Sequence, residues 1–117
     1  MYISNTGGIL NDYSNTTPTV SWAFRDIYVP SNAGNNYNLK FDWRSDGETN
    51  RDYLAVYFGA ISSVEGNSTG VLTPPANSTF VGRFYGNGSS FRRETHQLPI
   101  LSDTVIRIYF AWVNDAN

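Results

Sequence analysis

Hydrophobic and polar residues alternate along several short stretches of the chain, most clearly in two runs between Asn38 and Phe58. One face of these runs is apolar and is formed by Leu39, Phe41, Trp43, Leu54, Val56 and Phe58. The opposite face carries Lys40, Asp42, Arg44, Tyr53, Ala55 and Tyr57. A period of two residues is typical of strands with one buried face. A short, charged connection that contains glycine joins the two runs, so the pattern predicts a β-hairpin from Asn38 to Phe58.

Four further stretches show a strand-like pattern. They are residues Thr19 to Val29, Thr79 to Tyr85, Ser90 to Leu98 and Thr104 to Val113. The Asn87-Gly88 pair between the second and third of these is a strong turn signal and predicts a second hairpin. In the last stretch, Val105, Arg107, Tyr109 and Ala111 are predicted to face outward.

The remaining segments are rich in turn-forming residues. In the segment from Met1 to Tyr13, the pattern predicts a brief strand at Tyr2-Ile3 and a turn at Gly7-Gly8. In the segment from Gly59 to Ser78, it predicts a long surface loop. No window has a sustained helical period, and no internal repeat is present. Strands separated by turns along the whole length predict an all-β fold, an antiparallel β-sandwich that is jelly-roll-like.

The predicted core is built from aromatic and branched side chains on the inward faces of these strands. It comprises Trp22, Phe24, Leu39, Phe41, Trp43, Leu54, Val56, Phe58, Ile106, Ile108, Phe110 and Trp112. Burying each large side chain contributes about 2 to 3 kcal/mol, which is enough to fold one domain without disulfides.

Composition narrows the possible partners. The chain has 117 residues, enough for a single domain spanning 1–117, and it contains no cysteine. The net charge is −2, and no dense cluster of arginines suggests a track for a phosphate backbone, so nucleic-acid binding is not expected. No apolar run approaches the roughly 20 residues that a membrane-spanning helix needs, so membrane insertion is not expected either.

Several segments together resemble a known type of module. They are YISN and the following GG near the start, WAFRDI, FDWR followed by GE, DYLAVYF, and IRIYFAWVND at the end. The chain resembles the extracellular jelly-roll modules of Bacteroidetes surface and secreted proteins, which are related to MAM and cleaved-adhesin domains. The resemblance implies a module of a larger extracellular or cell-surface protein, with an adhesive or glycan-binding role.

The resemblance also implies that a strand is missing at each end, because such modules usually begin before YISN and continue after WVND. The chain is therefore expected to be a fragment of a larger multidomain protein. A sandwich that lacks strands exposes unpaired backbone groups along an edge. A homodimer formed through such an edge strand is accordingly predicted.

The polar faces of the strands supply a candidate binding surface. If the strands lie in one sheet, they present Asp42, Arg44, Tyr53, Tyr57, Arg107 and Tyr109 together, with Lys40 beside them. Aromatic rings that stack on sugars and planar donors that bind hydroxyls suit a carbohydrate. An ordinary exposed sheet, in which charges and rings pair across strands, explains the same residues and is favoured.

A second candidate is a calcium site, because Asp46, Glu48 and Asp52 lie in one turn close to Asp42. Their spacing differs from an EF-hand, and Arg44 and Arg51 could neutralise the carboxylates instead. Ion pairing is favoured over metal binding, and no other cofactor is expected.

An enzyme is not expected. His96 is the only histidine, no serine lies in a G-x-S-x-G turn, and pairing Asp42 with Glu48 or Glu94 as glycosidase carboxylates has weak support. The predicted function is a non-catalytic extracellular module that binds a glycan or a cell-surface or matrix protein. The alternative is a structural spacer that orients a neighbouring catalytic domain, either a peptidase or a glycan-degrading enzyme.

Overall fold

The fold contains six strands and, in the described residues, no helix. A computed structural model describes residues 17–31, 36–61, 71–86, 88, 90–99 and 103–115. The strands are β1 (Thr19–Val29), β2 (Tyr37–Trp43), β3 (Tyr53–Ala60), β4 (Ser78–Tyr85), β5 (Arg92–Leu98) and β6 (Thr104–Asn114). The predicted all-β class is confirmed, and the predicted strand limits differ by only a few residues. The elements predicted for Met1 to Tyr13, and the middle of the predicted loop from Gly59 to Ser78, lie outside the described residues.

All pairings are antiparallel and form two sheets. The large sheet has the order β1-β6-β3-β4, and the small sheet consists of β2 and β5. Along the chain, every connection crosses between the sheets except the one from β3 to β4. This winding is that of a jelly-roll sandwich, as the sequence predicted.

Both predicted hairpins are wrong. β2 pairs with β5, where Leu39 lies opposite His96, whereas β3 pairs with β4 and β6. The segment from Asn38 to Phe58 therefore crosses from the small sheet to the large one, and the segment from β4 to β5 crosses back. The physical reason is that the apolar faces of β2 and β3 pack against each other across the sandwich, in one core cluster, instead of lying side by side.

The sandwich interior is the core that the alternating pattern predicted for β2, β3 and β6. Its buried residues include Trp43, Leu54, Val56, Phe58, Ile106, Ile108 and Trp112. Leu39, Phe41 and Phe110 are partly buried against this cluster, and the Phe41 ring makes T-shaped contacts with the rings of Phe84 and Phe110, at 5.5 and 5.6 Å between ring centres. These assignments are confirmed.

The prediction for β1 is wrong about the face. Trp22 pairs with Ala111 and Phe24 with Tyr109, so both aromatic residues lie on the outer face of the large sheet. Trp22 is partly buried there, whereas Phe24 is 54% exposed. β1 carries apolar residues on both faces, including Ala23 and Val29 on the interior one, so alternation alone does not identify the buried face.

The outer face of the large sheet is also buried over its centre. Val20, Ala55, Tyr57, Tyr109, Ala111 and Val113 form a second buried cluster, against which Trp22, Tyr53 and Leu72 pack. The expectation that β3 and β6 present this face to solvent is therefore wrong. Leu72, which comes from the connection between β3 and β4, contributes to the cover. A sheet buried on both faces excludes water from both sides, which alternation in a single strand does not reveal.

Candidate functional site

The predicted carbohydrate surface is divided between two sheets. Asp42 belongs to β2 and Arg44 follows that strand, whereas Tyr53, Tyr57, Arg107 and Tyr109 belong to β3 and β6 of the large sheet. The prediction that these side chains share one face required their strands to lie in one sheet. That condition is not met, because β2 pairs with β5 in the small sheet and the chain crosses to the large sheet before β3.

Two of the predicted sugar-stacking rings are inaccessible. Tyr57 is 5% exposed and Tyr109 is 1% exposed. The Tyr109 hydroxyl donates a hydrogen bond to the carbonyl oxygen of Ala60 at 3.2 Å, and burial raises the pKa of Tyr57. Both side chains pack in the second core cluster, so their role in this structure is to stabilise the outer face of the large sheet.

Two charged members of the predicted surface, Asp42 and Arg107, form cross-strand ion pairs. Arg93 donates two hydrogen bonds of 2.8 Å to the carboxylate of Asp42, and Arg107 donates hydrogen bonds of 2.6 and 2.8 Å to Asp26. These hydrogen bonds hold the pKa of Asp26 and of Asp42 below the ordinary value for aspartate. Such bidentate pairs match the ordinary exposed-sheet interpretation of these residues.

The predicted calcium ligands do not converge. Asp52 is buried, and its carboxylate accepts hydrogen bonds from the backbone amides of Glu48 at 2.7 Å and Asp115 at 3.3 Å. Among the described residues, no three acidic or histidine side chains are grouped closely enough to hold a metal ion. Through these hydrogen bonds, Asp52 instead connects the turn between β2 and β3 to the end of β6.

Arg51, which the sequence offered as a partner for the carboxylates of this turn, pairs instead with Asp115 at 3.2 Å. Because Asp115 follows β6, this exposed ion pair connects the turn to the same end of β6 as Asp52 does. Both observations indicate that the charged residues of the turn serve the local structure.

His96 and Glu94 lie on the interior side of the small sheet. Glu94 accepts a hydrogen bond from Trp43 Nε1 at 3.2 Å, and His96 Nε2 is 3.8 Å from a Glu94 oxygen. The imidazole packs between aromatic rings, with Phe41 6.3 Å and Phe84 5.4 Å away between centres. Asp42 lies on the other face of β2, so Asp42 and Glu94 do not form a convergent carboxylate pair.

A surface cavity of about 340 Å³ lies at one end of the sandwich. It is located where the connection from β2 to β3 meets the connection from β4 to β5. The cavity is lined by Trp43, Arg44, Ser45, Gly86, Gly88, Ser90 and Arg92. Of these residues, only Arg44 belonged to the predicted binding surface.

Hydrogen bonds through Ser45 fix the two connections to each other beside the cavity. The Ser45 hydroxyl donates to the carbonyl oxygen of Gly86, and the amide of Gly88 donates to the Ser45 carbonyl at 3.0 Å. Gly86 permits the close approach of its neighbours, because a Cβ atom there would lie 3.1 Å from the Trp43 ring and 3.4 Å from Arg92 Nη1. The cavity wall is therefore defined by contacts within the protein that do not depend on a ligand.

Two guanidinium groups give the cavity a positive charge. Arg44 lies over the Phe91 ring, with its Cζ 5.2 Å from the ring centre, and Arg92 Cζ lies 6.0 Å from the centre of Trp43. Arg92 also donates a hydrogen bond to the Tyr85 carbonyl at 3.3 Å. In the part of the chain that the structure describes, neither arginine pairs with a carboxylate.

Sequence reasoning missed most of this site for two reasons. Trp43 was assigned only to the core, which is correct for most of its surface but overlooks the part that lines the cavity. Arg92 and Ser90 lie more than 40 positions from Trp43 along the chain, and only the pairing of Trp43 with Arg92 between β2 and β5 brings them together. The FRR sequence at Phe91 was the one local signal, since an exposed ring beside adjacent arginines is unusual in this weakly charged chain.

Comparison of this chain with protein families, curated proteins and solved structures found no match. The resemblance to MAM-like and cleaved-adhesin modules therefore stays a prediction. The described residues also contain no helix that is long and apolar enough to cross a membrane.

Proposed function

We propose that this domain is a non-catalytic binding module of an extracellular or cell-surface protein, and that it binds a glycan at the cavity between the β2–β3 and β4–β5 connections. The observation that carries the proposal is the combination of Trp43, Arg44 and Arg92 around a cavity whose wall is already fixed by Ser45. The extracellular location rests on the resemblance of the sequence to surface modules.

The size and chemistry of the cavity suit one or two sugar rings. Small-molecule sites begin at roughly 300 Å³ and usually combine aromatic surface with a few placed polar groups. Phe91 is 66% exposed next to the lining residues Ser90 and Arg92, so the face of its ring that Arg44 does not cover offers a surface for stacking. Ser45, Ser90 and the two guanidinium groups offer hydrogen-bonding groups for sugar hydroxyls.

The lining favours binding over catalysis. None of the described residues that line the cavity is a carboxylate or a histidine, the groups that usually transfer protons in glycoside hydrolysis. Glu94 is close to Trp43 but accepts the indole hydrogen bond on the interior side. We therefore assign recognition, and not cleavage, to this site.

The test is a glycan array followed by calorimetry on the best binders, with Phe91→Ala as the diagnostic variant. A stacking contact is worth about 1 kcal/mol, so the variant should bind about five- to tenfold more weakly. Phe24→Ala is the matched control, because Phe24 is also an exposed ring under an arginine, Arg107, but lies on the outer face of β1. Absence of binding to every glycan by the folded domain would overturn the proposal and favour the spacer function.

A further inference from the structure

We infer that the cavity selects saccharides bearing an acidic group, a carboxylate or a sulfate, over neutral saccharides. This inference rests on the proposed glycan-binding function and identifies the class of glycan. It comes from the distribution of arginine partners over the described structure.

The described arginines differ in whether they pair with a carboxylate, and two of the unpaired ones share one cavity. Within the described residues, three of the seven arginines form carboxylate pairs: Arg51 with Asp115, Arg93 with Asp42 and Arg107 with Asp26. The other four arginines have no carboxylate partner in the described part of the chain. Of these, Arg25 lies on β1 and Arg83 lies over the Tyr53 ring, whereas Arg44 and Arg92 line the same cavity. The chain as a whole has a net charge of −2, so this positive region does not follow from a general excess of basic residues.

The pairing of the adjacent residues Arg92 and Arg93 shows that the difference is local. Successive residues of β5 point to opposite faces of the small sheet. Arg93 lies on the outer face, where Asp42 is directly opposite, and Arg92 lies on the other face, opposite Trp43. The strand register thus places a carboxylate opposite Arg93 but an indole ring opposite Arg92, which lies at the cavity.

The two guanidinium groups at the cavity are held in place before any ligand arrives. Arg92 is bonded to the Tyr85 carbonyl and lies against the Trp43 ring, and Arg44 lies over the Phe91 ring. Guanidinium groups fixed by such contacts still have free N–H donors, arranged in a planar fork that matches a carboxylate or a sulfate. A neutral sugar would displace water from these cations without returning a negative charge, whereas an acidic sugar neutralises them.

The aromatic and cationic parts of the site divide the work of recognition. Phe91 offers a surface for the apolar face of a sugar ring, and Arg44 and Arg92 bind the acidic substituent. Selectivity for acidic saccharides should therefore depend on the arginines, and general saccharide binding should depend on Phe91.

The experiment is a calorimetric titration of the intact chain with three matched ligands: a neutral galactose oligosaccharide, its galacturonate counterpart and its sulfated counterpart. We expect at least one acidic ligand to bind about tenfold more tightly than the neutral one, and the acidic ligand that binds better identifies the substituent. Raising the salt concentration should weaken only the acidic ligands, since salt screens exposed charges.

The diagnostic variants are Arg44→Gln and Arg92→Gln, each expected to weaken acidic ligands about tenfold and the neutral ligand much less, because glutamine keeps an N–H donor for a hydroxyl but carries no charge. Arg25→Gln is the control, because Arg25 is exposed on β1, away from the cavity, and also has no carboxylate partner in the described structure. Melting temperature and near-ultraviolet circular dichroism verify that each variant is folded.

Two negative results are distinguishable. If the neutral ligand binds as tightly as the acidic ones, or if the glutamine variants weaken all three ligands equally, acid selectivity is overturned and the glycan-binding proposal stands. If the folded domain binds none of the three ligands, nor any glycan of the array, both are overturned.

Discussion

At the scale of single residues, the charged side chains on the sheet surfaces follow cross-strand rules. Asp42 meets Arg93 directly across β2 and β5, and Asp26 meets Arg107 directly across β1 and β6. Both pairs are bidentate, and in both the hydrogen bonds lower the pKa of the aspartate. The sequence offered paired charges and ligand-binding charges as alternatives for Asp42 and Arg107, and only the strand register distinguishes them.

The aromatic residues on the outer face of the large sheet differ in burial although they lie in one row. Phe24, Tyr109, Tyr57 and Phe80 occupy paired positions across β1, β6, β3 and β4. The two tyrosines in the centre are buried, whereas the two phenylalanines on the terminal strands are exposed. The tyrosines therefore contribute to stability. The exposed phenylalanines contribute less, because folding removes less of their apolar surface from water.

Substitution of Tyr109 tests this division. We expect Tyr109→Ala to lower the free energy of unfolding by about 3 to 5 kcal/mol, because it leaves a cavity in a closely packed cluster. Tyr109→Phe should cost about 0.5 to 1.5 kcal/mol, because it keeps the ring but removes the hydroxyl that donates a hydrogen bond to Ala60. Urea denaturation followed by fluorescence measures both changes.

The matched control for Tyr109 is Phe24→Ala, since Phe24 lies directly opposite Tyr109 but is exposed. Its expected cost is below about 1 kcal/mol, in the range of surface substitutions. Equal stability of Tyr109→Ala and the unaltered protein would mean that the ring lies on the surface, as the alternating pattern had indicated.

At the scale of elements, the distinguishing feature is that β2 pairs with β5 and not with β3. A double-cysteine variant at Lys40 and Thr95 tests this pairing, because the two residues are directly opposite and both are exposed. The chain has no cysteine of its own, so any intramolecular disulfide reports the introduced pair. Directly opposite strand positions have Cβ atoms about 4.5 to 5.5 Å apart, which small backbone adjustments bring within disulfide range.

We expect the Lys40→Cys/Thr95→Cys variant to form a monomeric disulfide on oxidation, detected by mass spectrometry after alkylation. The control variant joins Lys40→Cys with Thr79→Cys, which is exposed on β4 of the other sheet. It should remain reduced or form only intermolecular disulfides. Efficient internal crosslinking of the control, with none in the test pair, would contradict the β2–β5 pairing.

The strands themselves were largely predictable from sequence, but their partners were not. Alternation located β1, β2, β3 and β6, and the turn signal at Asn87-Gly88 located β4 and β5; the predicted limits of β1 match the observed Thr19–Val29. A charged turn such as that around Gly47 shows that the chain reverses, but the same residues suit a reversal within one sheet or a crossing to the facing sheet. Long-range pairing, such as Trp43 with Arg92, decides between these outcomes, and no local pattern contains it.

The candidate site was unpredictable for the same reason. Arg44 was recognised as a binding candidate, but its companions Arg92 and Ser90 come from the opposite crossing connection. Residues of two connections meet only after the sheets have packed. Local alternation therefore predicts core positions far better than it predicts the members of a surface cavity.

At the scale of the whole molecule, the winding of the chain explains where the cavity lies. The connections β2–β3 and β4–β5 both cross between the sheets at the same end of the sandwich, and the hydrogen bonds of Ser45 join them. Two neighbouring crossings leave a space between backbone segments that interior side chains do not fill. The candidate site is thus a consequence of the jelly-roll winding and not of any one strand.

The arrangement of the large sheet also leads to a prediction about association. β4 is the last strand in the order β1-β6-β3-β4, so among the described strands it pairs only with β3. Its exposed residues include Phe80 and Tyr85. A terminal strand whose outer edge pairs with no other described strand, and which carries exposed rings, favours pairing with a second copy, and antiparallel β4–β4 contact would have the two-fold symmetry common in homodimers.

We expect sedimentation velocity to show a dimer whose fraction increases with protein concentration. Phe80→Lys should reduce that fraction, because it removes an exposed ring and brings like charges together across the dimer axis. Tyr28→Lys is the control, since Tyr28 is an exposed aromatic residue on β1, at the other end of the same sheet. A dimer weakened equally by both substitutions would contradict the β4 contact, and a monomer at every concentration would show that this edge does not pair.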